Sequence, residues 1–209
     1  MTMKVLMLAL GIGSVASCTK EPLKNMTAEE SRIYITDHDS SVNFSSFKTF
    51  SIVDTVSIIE DGQLSGKQLT AWDASILNAV AAEMTARGYI AVDRSQNPDL
   101  GVNVSRIYNT YNGVMSYPDY WGGYGGYYDP FYWGYPGSSY YFPERYSIYQ
   151  ITEGAASIDL LDLETASTTK QIRGVWNGLI RGTGVFDVNN APSQVKALFD
   201  QSPYLKANQ

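Results

Sequence analysis

The 209-residue sequence contains one cysteine and one histidine. A single thiol excludes an internal disulfide and any zinc site built from several cysteines, and a single imidazole excludes multi-histidine metal sites. Cationic charge is scarce as well: 15 Lys and Arg stand against 21 Asp and Glu, a formal net charge of −6. Nucleic-acid binding draws its affinity from Lys and Arg on phosphates, so no nucleic-acid partner is expected. No stretch reaches 18 continuous apolar residues, the length a spanning helix requires. Nor does the sequence carry a P-loop, G-x-S-x-G or H-E-x-x-H pattern. The expectation is a protein that is not an enzyme, with no catalytic residues, no metal and no cofactors.

Hydrophobic residues make up 44% of the chain and charged ones only 17%, the balance of a sequence that builds a core. The length suits one domain. At the N-terminus Lys4 precedes the apolar run Val5 to Ile12, which has the length of an export signal and is too short to span a bilayer. The run closes on Val15-Ala16-Ser17-Cys18, which resembles the bacterial lipobox, where small residues precede the cysteine that is cleaved to and lipidated. Residues 1–17 then read as a lipoprotein signal peptide and 18–30 as a lipidated, flexible tether. The partner implied is the membrane, reached through acyl chains on Cys18 that each contribute about 0.8 kcal/mol per buried CH₂. Thr19 follows the cysteine in place of an aspartate that would resemble an inner-membrane retention signal, so the expected location is the outer membrane, on its periplasmic or surface face.

Residues 31–206 read as one α+β domain. Arg32 to Thr36 and Lys48 to Val53 have strand character. Leu69, Trp72, Ile76, Val80 and Met84 recur at steps of three and four before Gly88, which predicts an amphipathic helix over 68–87. Leu100, Val102 and Val104 alternate with Gly101, Asn103 and Ser105, the pattern of a half-buried strand with one polar face. Arg145 to Thr152, Ala155 to Leu163 and Gln171 to Leu179 read as further strands, and Ala191-Pro192-Ser193 opens a closing helix. The predicted architecture is a single, mostly antiparallel sheet with two helices packed on one face and a long Tyr/Gly-rich insertion loop. Trp72 and Trp176 are expected in the core.

Val42-Asn43-Phe44-Ser45-Ser46-Phe47-Lys48-Thr49-Phe50 resembles the N-F-x-x-[FY]-K-T-[FY] stretch of the small bacterial lipoproteins grouped as domain of unknown function 4136. Ala86-Arg87-Gly88-Tyr89, Pro98 to Val102, Ile158 to Asp162, Trp176-Asn177-Gly178 and Val195 to Phe199 follow in that family's order. Thr165 to Thr169 departs from it, where the family shows a Lys-Thr-Gly-like hairpin. The resemblance implies a cell-envelope lipoprotein with an α+β domain and no established activity.

Tyr108 to Tyr149 holds 17 of the chain's 27 aromatic residues, and between Asn112 and Phe142 the only charged side chains are Asp119 and Asp129. Gly and Pro interrupt any long regular element there, while tyrosines at this density offer rigid contact area. Residues 112–143 are therefore the insertion. The candidate binding surface comprises Tyr117, Tyr120, Trp121, Tyr124, Tyr127, Tyr128, Phe131, Tyr132, Trp133, Tyr135, Tyr140 and Tyr141. It reads four ways: cover for the domain's own open sheet face, recognition of an envelope protein, stacking on an envelope glycan, or contact with lipid headgroups. Asp37-His38-Asp39 reads as an Asx-type turn with a solvated histidine, not an acid–base pair. Asp159, Asp162 and Glu164 read as a solvated polar face, since glycoside chemistry needs acids on opposite sides of a cleft.

Overall fold

The computed structural model describes residues 27, 30–60, 63–108, 115–116, 130–142, 146–147 and 154–208. In chain order the strands are β1 (Ile33–His38), β2 (Thr49–Ile52), β3 (Val56–Glu60), β4 (Gln63–Gln68), β5 (Ile90–Ala91), β6 (Leu100–Tyr108), β7 (Met115–Ser116), β8 (Ser139–Tyr141), β9 (Tyr146–Ser147), β10 (Ala155–Asp162) and β11 (Gln171–Arg181). The helices are α1 (Ala71–Ala86), the single turn α2 (Ala166–Thr169) and α3 (Ala191–Asp200). Thr70 and Asp73 start α1 with a reciprocal capping box, and Gly88 at φ +91° ends it in a conformation that only glycine adopts freely. The expected stripe begins at Trp72, because Leu69 lies before the helix and is 58% exposed.

Nine strands form the main sheet, in the order β1-β11-β10-β6-β2-β5. β3 continues beside β6 where β2 stops, and β8 lies beside the start of β11 where β1 does not reach. Four pairings are antiparallel (β1 and β10 with β11, β10 with β6, β3 with β4) and four are parallel (β2 and β3 with β6, β2 with β5, β8 with β11). The sheet is mixed, which corrects the expectation of a mostly antiparallel one. Parallel neighbours need a crossover connection, and α1 supplies it between β2 or β3 and β6.

α1 and α3 pack on one face. Arg106 of β6 reaches Asp73 of α1 at 2.7 Å, and the Trp176 ring of β11 lies 5.4 Å from Phe199 of α3. Val102, Leu160 and Trp176 face these helices in one cross-strand row, and Val104, Ile158 and Gly178 in the next. Gly178 admits the Leu198 side chain, which would lie 2.8 Å from a Cβ at that position.

The second face is polar and buried. Asn103, Asp159, Asn177 and Asp37 pair across four strands, and Ser57, Ser105 and Ser157 form the neighbouring row. Asn103, Ser105, Ser57, Ser157, Asp159 and Asn177 are all at most 2% exposed. β6 is thus buried on both faces, not half-buried, and Asp159 and Asp162 are internal instead of solvated. Asn177 answers the burial by donating from Nδ2 to Asp159 Oδ1 at 2.7 Å and to Ser157 Oγ at 2.8 Å. Asp162 accepts from the Thr165 backbone N–H and hydroxyl.

Candidate functional site

Six of the twelve candidate surface residues fall among the described residues. Cys18, Tyr117, Tyr120, Trp121, Tyr124, Tyr127 and Tyr128 lie outside them. Pro130 to Trp133 form a 3-10 turn, and Gly134 and Gly137, at φ +86° and +77°, turn the chain back toward β8. This segment is tied to the sheet at two points. Trp133 is 3% exposed, its ring 3.2 Å from where a Gly101 Cβ would stand, and Phe142 occupies the space over Gly174. Tyr140 stacks on Phe142 at 6.2 Å and is partly buried, as is Tyr135. The sequence treated these six aromatics as one surface; the structure divides them. Trp133 belongs to the core, Tyr132, Tyr135 and Tyr140 are half-buried, and Phe131 and Tyr141 are exposed at 71% and 45%.

Phe131 and Tyr132 border a cleft of about 390 Å³ together with Lys67, Arg94, Ser95 and Gly134. The volume lies at the small end of ligand-site sizes. Arg94 and Ser95 sit on a 3-10 turn that Asp93 and Gln96 cap reciprocally, and Lys67 extends from β4. The Arg94 guanidinium lies 4.2 Å from the Tyr132 ring centroid and the Lys67 ammonium 6.0 Å from it, a cation–π arrangement shared by two cations. Tyr132 is fixed from below by an edge-to-face contact with Trp133 at 5.0 Å, and its Oη accepts a long hydrogen bond from the Asp54 backbone N–H at 3.4 Å. Burial raises the Tyr132 phenol above its ordinary pKa, Asp54 adds to the rise and Arg94 opposes it. Burial lowers the Lys67 ammonium, with Asp54 pulling the other way. The cleft can therefore hold an anion at its cations and an apolar ring face against its aromatics.

A cleft near the start of β11 holds groups already engaged. It measures about 270 Å³ and is lined by Tyr141, Asp162, Thr165, Thr169, Gln171 and Arg173, but Arg173 pairs with Asp39 and Asp162 serves Thr165. Asp37 and His38 end β1 instead of forming a turn; the imidazole stacks on Tyr204 at 3.9 Å, and the Asp39 carboxylate accepts from the Ser41 N–H as an Asx turn would. Among the described residues no three His, Cys, Asp or Glu side chains converge as metal ligands, and no helix is long and apolar enough to cross a membrane. Lys67, Arg94 and Ser95 were absent from the sequence-based candidates. Arg94 and Tyr132 are separated in the sequence by the whole of β6 and much of the insertion, and only the fold brings them together.

Sheet order and helix placement define a mixed α/β fold built on one large sheet with three helices. The chain belongs to the family described as Domain of unknown function (DUF4136), whose model matches residues 35–204. A crystal structure of a DUF4136 family protein from Bacteroides thetaiotaomicron VPI-5482 is similar at 28% identity and a TM-score of 0.70, covering 84% of this chain and 98% of that one. A PelC dodecamer from Paraburkholderia phytofirmans is matched at 12% identity and a TM-score of 0.41, over 85% of this chain and 99% of that one. No curated protein matches the chain.

Proposed function

We propose that this protein is a lipid-anchored cell-envelope lipoprotein, acylated at Cys18 and held at the outer membrane, that acts by binding as a scaffold or accessory subunit. The anchor rests on the sequence Val15-Ala16-Ser17-Cys18 after an apolar run. The observation that carries the binding role is Phe131, 71% exposed on a turn whose next-but-one residue, Trp133, is locked in the core. A largely exposed apolar ring beside an anchored indole gives a partner contact area at little entropic cost. A second reading, an envelope glycan-binding module, is favoured by the cleft beside Phe131, where cations and an aromatic ring meet.

Two experiments test this. Growth with a clickable fatty acid should label the wild-type protein and leave Cys18→Ala unlabelled and released from the membrane fraction. Crosslinking in cells followed by capture of the full chain should recover a protein or glycan with wild type and lose it with Phe131→Ser/Tyr141→Ser. Equal recovery from both forms would contradict the binding role. A loop deletion would not serve, because it would remove Trp133 from the core.

A further inference from the structure

The geometry points to the cleft between Lys67, Arg94, Phe131 and Tyr132 as a site for a carboxylated sugar of the uronic-acid type. This deepens the binding role proposed above and rests on it. A pyranose with a ring carboxylate has one apolar C–H face and one localised anion, and the cleft presents a partner for each. Phe131 stands at the lip with 71% of its surface exposed, and the Tyr132 ring is held from beneath by Trp133. The Arg94 guanidinium lies 4.2 Å from the Tyr132 ring centroid and hydrogen-bonds the Tyr132 side chain; a guanidinium carries five N–H donors, so others can meet an oxyanion. Lys67 approaches the same ring from β4, placing a second positive charge at the cleft.

Cations are scarce in a chain of net charge −6, yet the cleft gathers two, Lys67 and Arg94, beside the carboxylates of Asp54 and Asp93. Gly134 also lines it at φ +86°. Among the described residues its walls are two aromatic rings, two cations and Ser95. Two cations are too few to track a nucleic-acid backbone, which needs a continuous basic groove. A bare phosphate would use the cations and leave Phe131 without a role. A carboxylated pyranose uses both.

The test uses the full lipidated chain in detergent micelles, titrated calorimetrically with trigalacturonate, its fully methyl-esterified form and inorganic phosphate. Trigalacturonate should bind, and esterification should weaken it at least fivefold by removing the charge-assisted hydrogen bonds. Arg94→Gln and Lys67→Gln should each weaken the acid about fivefold and leave the ester unchanged, while Phe131→Ala should weaken both forms. Lys196→Gln, remote from the cleft, should change nothing. Equal affinity for acid and ester, no binding of the acid, or competition by phosphate that Phe131→Ala does not alter would each overturn the inference. If these fail while capture in cells still depends on Phe131 and Tyr141, the sugar assignment falls and the binding role stands; if capture fails too, both fall.

Discussion

Trp133→Ala separates a structural aromatic from a contact aromatic within the same turn. The indole is 3% exposed and fills the space above Gly101 and beside Leu163, where a Gly101 Cβ would come within 3.1–3.2 Å of both side chains. Nothing can collapse into the vacated volume from Gly101, which has no side chain, so the full cavity cost applies. Truncation of a buried tryptophan costs about 3–5 kcal/mol. For a domain of this size, each kcal/mol lowers Tm by about 2–4 °C, so a loss of roughly 10 °C is expected. Urea denaturation followed by far-UV circular dichroism measures the free energy, and the m-value checks that unfolding stays two-state. Phe131→Ala, two residues away, should stay within about 0.5 kcal/mol of wild type, because its side chain is 71% exposed. A loss below about 1 kcal/mol for Trp133→Ala would refute the assignment of that indole to the core.

Asp73→Ala should cost about 3–5 kcal/mol in the same assay, since it strands the buried Arg106 guanidinium and removes the α1 capping box; Asp73→Asn should recover part of it. On the polar sheet face, Asn103 Oδ1 has no partner among the described residues, so Asn103→Leu should fall within about 1 kcal/mol of wild type, whereas Asn177→Leu, which takes two donors from Asp159 and Ser157, should cost about 2–3 kcal/mol. Burial raises the Tyr89 phenol above its ordinary pKa of 10.0, so the folded chain keeps this proton where the unfolded chain releases it. The stability Tyr89 contributes should therefore be fully present below pH 10 and be lost as pH rises beyond it, by up to about 1.4 kcal/mol per unit, and Tyr89→Phe should flatten that slope in alkaline melts.

How far the sequence reveals this molecule depends on the range of the interaction. α1, β10, β11 and α3 are written locally, in the Thr70–Asp73 cap, the alternation around Ile158 and Leu160, and Pro192 in the first helical turn. The β3–β4 hairpin, absent from the sequence expectation, has a local signal too: Val56 to Glu60 and Gln63 to Gln68 flank Asp61-Gly62, a dipeptide favoured in two-residue hairpins. The parallel pairings lie in the strand–helix–strand succession from β2 through α1 to β6, a crossover unit that alternation within single strands does not report. Burial of the polar row from Asn103 to Asn177 could not be read from alternation, which reports that a face is polar but not whether it is covered. The candidate site was half legible. Aromatic density marked Phe131 and Tyr132, while Lys67 and Arg94 reach them only through the hairpin and the capped turn before β6.

The most direct test of the binding role places a photo-crosslinking amino acid at position 131 of the full lipidated chain in living cells, with position 188 as the control. Val188 is also exposed, at 42%, and lies in the loop before α3, away from the cleft. Irradiation should give a discrete adduct from position 131 that weakens with Arg94→Gln, and none from position 188. The same adducts from both positions, or none from 131 in a protein that remains folded and membrane-bound, would contradict the proposal that this aromatic turn is a recognition surface.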